Sequence, residues 1–333
     1  HQLGDQLTAL SIDLDALEGP TPPAEGVGRA RRVGCDTALA LIHQGIIKSR
    51  WIYSGDADAE WPSGFFHADW PAQESAICFP FTHDAAGDPA VVAATLIYEL
   101  KLHHYVLHLQ RSGTPYAFHA LGSSCAFNSA AYAAVRGFPL RNAGEDFYLL
   151  NKLAKVGPIH AAKGCGVTLQ SRRSERAPFG TGPAVRELLA IGHPTDVPIF
   201  YDARCFNVLS TTLERFNQWI LEPELDPERD LHDRLDALVA NDLIALLTQW
   251  RYQRAIEHIQ RAAAAPEARQ AHANIWLDGF KLLKIIHHLR DRHYPNLTFQ
   301  ASAASQDQWP IELPSQSPMQ IRQAIYEHLG WWS

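Results

Sequence analysis

The feature that most constrains this chain is an alternation of short apolar runs with helical periods in its first 195 residues, followed by helical periods almost alone. Between Arg31 and Lys48, Val33, Leu39, Ile42 and Ile46 fall near helical spacing, and Trp51-Ile52-Tyr53 then reads as a short buried strand. Ala76 to Phe81 reads as a second strand. Asp88-Pro89 supplies an N-cap and a first-turn proline for a long helix to about Arg111, closed by Gly113. Tyr116 to Phe127 looks extended, and Ser129–Val135 and Glu145–Val156 read as helices stopped by Gly137 and by Gly157-Pro158. Such alternation predicts an α/β domain over 1–195 with a largely parallel sheet flanked by helices. From 196 to 333 the pattern predicts a mainly helical region, with long periods at Leu231–Ala262 and Ala271–Arg290 and a last helix from Pro318 to about Leu329.

Composition narrows the function classes. A net charge of −7 offers no broad basic face to a phosphate backbone, which argues against nucleic acid as a partner. No window reaches the roughly 18–20 apolar residues of a membrane span. The 5 cysteines are odd in number and widely spaced, so they fit neither a disulfide framework nor a zinc knuckle. They are expected to be reduced, mostly buried thiols, which suits a cytoplasmic location. His104 and His108 stand one turn apart without the glutamate of a zinc-protease helix, and are read as ordinary helix residues.

Three polar groupings carry candidate chemistry. Asp56-Ala57-Asp58 follows the first strand, where residues two apart share a side and two carboxylates can meet one hard cation; a solvated turn is the alternative. Glu145-Asp146 opens a helix, where the dipole favours the anionic form that a general base needs; taken alone, simple capping is the better explanation. Arg172, Arg173 and Arg176 precede the glycine-flanked stretch Pro178–Gly182, so they are placed to fold over a diphosphate, or else form an exposed basic loop. Trp61 and Trp70 flank the acidic triplet as sugar platforms or sheet-packing residues, and Trp331-Trp332 is a candidate exposed contact.

Taken together, the stretch Gly28–Gly34, the Asp56-Ala57-Asp58 triplet, and Ala131–Pro139 leading into Gly144-Glu145-Asp146-Phe147-Tyr148-Leu149 resemble the family 2 glycosyltransferases of GT-A fold, over about residues 24–190. The resemblance implies a mixed, Rossmann-like sheet. It implies that Asp56 and Asp58 hold Mg2+ or Mn2+, with Asp56 also at the nucleotide-sugar. It places Asp146 as the base toward an acceptor hydroxyl, with Glu145 beside it, and the three arginines at the diphosphate. The expected reaction is sugar transfer from a nucleotide-sugar donor to a hydroxyl-bearing acceptor, with inversion. The strand and loop that normally grip the base and ribose do not precede Gly28, so the domain is expected to be N-terminally incomplete. Two alternatives stay open: a nucleotidyltransferase acting on sugar phosphates, and a non-catalytic helical module carrying a degenerate transferase domain. The helical region is the expected contact for a protein partner or adjoining domain.

Overall fold

A computed structural model describes residues 9–63, 65–67, 69–173 and 180–331. A short helix α1 (Leu14–Glu18) leads to α2 (Gly26–His43), which starts five residues before its apolar period, and then to β1 (Trp51–Ser54). Among the described residues no strand precedes α2. The run expected as one strand is two, β2 (Ala76–Cys78) and β3 (Phe81–His83). Pro80 has no N–H to give to a ladder, and its carbonyl instead accepts from Val167 at 2.8 Å, so the chain changes sheets there. α3 (Pro89–Arg111) keeps its expected bounds, because Asp88 accepts from the Ala90 N–H at 2.9 Å and Pro89 occupies the first turn. β4 (Cys125–Asn128), α4 (Ser129–Ala134), α5 (Glu145–Leu153), β5 (Ile159–Ala161), β6 (Val167–Leu169) and α6 (Thr181–Ile191) follow. Thr181 and Gly182, the end of the glycine-flanked stretch after the arginines, are thus helical.

The main sheet has the order β1-β4-β2-β5, and β3 pairs with β6 apart from it. It is mixed, not largely parallel: β1 and β2 both run antiparallel to β4, and β2 runs parallel to β5. Side-chain alternation divides its two faces. Ile52, Ala76, Cys78, Cys125 and Phe127 pack with Cys35, Tyr132, Leu149 and Leu153 under α2, α4 and α5. Trp51, Ile77, Phe79 and Ala126 pack with Phe65, Ala162 and Val167 on the other side. Each large side chain fully buried here contributes about 1.5–3 kcal/mol of transfer free energy.

The helical region comprises α7 (Ala203–Leu221), α8 (Pro227–His232), α9 (Ala237–Gln249), α10 (Tyr252–Ala262), α11 (Pro266–Trp276), α12 (Gly279–Arg292), α13 (Phe299–Ala303) and α14 (Pro318–Leu329). The long period from Leu231 to Ala262 spans three helices. Asp236 caps α9, and Arg251 adopts a left-handed φ of 58° at the α9–α10 junction. The period from Ala271 to Arg290 is divided by Asp278, which accepts from the Lys281 N–H at 3.1 Å and starts α12.

α3 joins the two regions. Val91, Ile97, Leu100 and Leu107 pack with Val185 of α6 and Ile321 and Ile325 of α14, while Leu109 joins the core of α7, α9, α10 and α12. His104 and His108 both turn Nε2 to the Gln308 carbonyl, at 2.8 and 3.0 Å, which ties α3 to the segment before α14. Trp331 is not exposed: it is 6% accessible and packs on Phe81, His103 and His119. Trp332 lies outside the described residues. All 5 cysteines are free thiols, and burial pushes Cys35 and Cys205 up to about 12, which keeps them protonated and unreactive. Among the described residues no helix is long and apolar enough to cross a membrane.

Candidate functional site

The site is built around Arg31. Gly28, one turn earlier on α2, lies so close to the loop before α5 that a Cβ there would stand 2.5 Å from the Arg141 carbonyl and 2.6 Å from that of Pro139. Its N–H donates to the Arg141 carbonyl at 2.9 Å. Only glycine allows this approach, and the approach sets α2 beside the start of α5. Arg31 then reaches inward, its side chain 11% accessible. Its Nε donates to Glu145 Oε1 at 2.9 Å, and its Nη2 to Asp56 Oδ1 at 2.6 Å. Its Nη1 donates to Ser54 Oγ at 2.9 Å and to the Gly122 carbonyl at 2.6 Å. Gly122 is a second tight position, since a Cβ there would meet the Arg31 Cζ at 2.7 Å and push the guanidinium from its partners.

The network continues to Asp146. Its Oδ2 accepts from the Gly122 N–H at 2.9 Å and its Oδ1 from the Phe147 N–H at 2.7 Å. Gly144, left-handed at φ 69°, starts α5 without a side-chain cap, so both Glu145 and Asp146 sit in the first turn. Asp56, Glu145 and Asp146, up to 90 positions apart in sequence, are therefore held by one guanidinium and one glycine. Burial opposes the charge of Arg31, but the carboxylates of Asp56, Glu145 and Asp146 outweigh it and hold the group above its ordinary pKa. Burial pushes Glu145 up, the charge of Asp146 adds to this, and Arg31 pulls against it. Burial also pushes Asp146 up, opposed by the Phe147 N–H, by Arg31 and by the Gly122 N–H. A carboxylate so raised is a stronger proton acceptor than one in water.

The other expected site residues divide. Asp58, half-buried, forms an ion pair with Arg172 rather than with the Arg31 network. Arg173 stands apart, 3.6 Å from Asp88 at the start of α3, and both groups are largely exposed. Arg176 lies outside the described residues. Ser171 anchors the start of this segment, its N–H donating to Asp84 Oδ1 at 2.9 Å. Trp61 covers Gly55 and stays 37% accessible, whereas Trp70 donates to Tyr53 Oη at 3.2 Å and packs on the sheet.

Among the described residues no three or more His, Cys, Asp or Glu side chains cluster as a metal cage. Asp56 and Asp58 still offer hard oxygen ligands on a half-open loop. Each is engaged by a guanidinium, Asp56 by Arg31 and Asp58 by Arg172, so a cation bound there would share or displace those partners.

Sequence reasoning missed Arg31 and Gly122. Arg31 is one of three arginines in the span Arg29–Arg32, and nothing in their spacing says which turns inward. Close packing of Gly28 makes that choice. No family model, no curated protein and no solved structure matches this chain.

Proposed function

We propose that this chain is a metal-dependent, inverting glycosyltransferase of family 2 type, with a GT-A-like domain over 1–195. The observation that supports this reading best is the gathering of Asp56, Glu145 and Asp146 around Arg31 at the end of β1. Asp56 and Asp58 would hold the magnesium or manganese ion, which supplies charge stabilisation at the departing diphosphate. Arg172, paired with Asp58, is positioned to exchange that partner for a phosphate oxygen. Asp146 takes the proton of the acceptor hydroxyl. As that proton leaves, the oxygen forms its bond to the anomeric carbon, and the bond to the diphosphate breaks with its electron pair going to the leaving group. Arg31 fixes the positions of Glu145 and Asp56 throughout.

Calorimetry of the full chain with UDP- and GDP-sugars and manganese, run beside a turnover assay, tests this. Asp58→Ala is expected to weaken metal-dependent nucleotide binding by about tenfold or more. Asp146→Asn is expected to leave that binding intact and to lower turnover by about a hundredfold. Wild-type turnover should fall as acid protonates Asp146, and do so at a higher pH than an ordinary aspartate would give, because its pKa is raised. Unchanged turnover in Asp146→Asn removes it as the base. Wild-type protein that binds no nucleotide favours the non-catalytic alternative.

A further inference from the structure

A cavity of about 130 Å3 lies between α3, α5, the start of α12 and the segment 116–121. Leu102, Tyr105 and Val106 of α3, Tyr116 and Phe118, and Phe147 of α5 make its wall mostly apolar. An apolar cavity of roughly 150 Å3 stays dry and takes up benzene. This one therefore has room for about one six-membered ring.

Two polar residues interrupt the wall: His119, whose Nε2 lies 3.0 Å from His103 Nδ1, and Asn151. Asn151 of α5 is 6% accessible, and its Nδ2 donates to Asp278 Oδ2 at 3.2 Å. A carboxylate only accepts, so that bond fixes which way the amide faces. Asp278 is itself held by Lys155 at 2.5 Å and by the Lys281 N–H at 3.1 Å. The amide oxygen Oδ1 is left buried with no hydrogen-bond partner. It faces Gly279, another wall residue: a Cβ built there would stand 3.1 Å from Oδ1 and 3.2 Å from the Tyr116 ring. A buried acceptor without a donor is costly to keep. Here it sits beside Gly279 at the edge of a ring-sized apolar space that both residues line.

We infer that this cavity binds a small monocyclic apolar compound carrying one hydroxyl, with the ring among Leu102, Val106, Phe118 and Phe147 and the hydroxyl donating to Asn151 Oδ1. The inference needs neither donor nor metal and does not rest on the transferase reading. Leu121 and Phe147, which line the cavity, are chain neighbours of Gly122 and Asp146, so the cavity adjoins the carboxylate network.

Calorimetric titration of the full chain with phenol and with toluene tests it, with thermal melts checking that each variant is folded. Both compounds should bind the wild type. In Asn151→Leu, which keeps the shape and removes the acceptor, the phenol-to-toluene affinity ratio should fall about tenfold. In Gly279→Ala, whose methyl fills the space against Oδ1 at a helix start that tolerates alanine, phenol affinity should also fall about tenfold. Absence of binding by either compound to the wild type overturns the inference. So does an unchanged affinity ratio in a folded Asn151→Leu, or unchanged phenol binding in Gly279→Ala.

Discussion

Arg31→Met is expected to lower the unfolding free energy by about 3–5 kcal/mol, the usual cost of stripping one partner from a buried ion pair. Glu145 is 4% accessible and loses the guanidinium at 2.9 Å, while the Gly122 carbonyl and Ser54 hydroxyl lose donors at 2.6 and 2.9 Å. Urea melts at neutral pH measure this. The double variant Arg31→Met/Glu145→Gln should recover a large part of the loss, because it removes the stranded charge. The pH dependence has a definite sign. Burial already raises Glu145 in the folded protein, and losing Arg31 raises it further. A raised carboxylate binds its proton more tightly folded than unfolded, so its ionisation subtracts stability as pH climbs. The deficit of the variant should thus widen as pH climbs past the already raised value of Glu145 in the wild type, above the ordinary carboxylate range. A loss below about 1 kcal/mol would place Arg31 in the class of solvated surface pairs.

Glu99→Ala is the second large effect, at about 3 kcal/mol or more. Glu99 of α3 is fully buried, yet it accepts from the His83 N–H at 2.7 Å and from Tyr326 Oη at 2.7 Å. Its Oε2 also lies 2.8 Å from His83 Nδ1. Deleting the carboxylate leaves the His83 N–H without this acceptor and removes a polar link from α3 to β3 and α14, while Tyr326 Oη keeps Thr82 Oγ1 at 2.9 Å. Burial alone would raise the pKa of Glu99, but His103 and His83 overcome it and hold the group far below the carboxylate range. A depressed pKa gives stability that is present above the unfolded value and is lost as pH falls below it. Melts of wild type and Glu99→Gln should therefore differ most at neutral pH and converge as pH drops below about 4. Curves that stay parallel would show that Glu99 is not ionised in the folded protein.

What could be read from the sequence was local. The bounds of α3 were legible because Asp88 and Pro89 act on the turn they begin. The break between β2 and β3 was not, although Pro80 stood in the run, because its carbonyl partner Val167 is far along the chain. Strand direction was hidden for a different reason: an apolar run looks alike parallel or antiparallel, so the orientation of β4 had no local mark. Helical period continues smoothly through residues 231–262, and the interruption rests on the Asp236 cap and on a left-handed Arg251, a residue type that seldom signals one. In the candidate site, the acidic pairs were visible as residue types at strand and helix ends. Their common arginine was not, because Arg31 reaches partners 25 and 114 positions away. Asp58 and Arg172 form a pair that spacing could not have matched.

α3 is one 23-residue rod, and hydrocarbon from both halves of the chain is wrapped around it. Severing the gene at residue 195 would accordingly leave the longest helix of the first fragment with a greasy flank that water must cover. The second fragment would be a set of helices missing the spindle on which they close. The boundary visible in the pattern of residues marks a change of architecture, and the material on either side stands or collapses together.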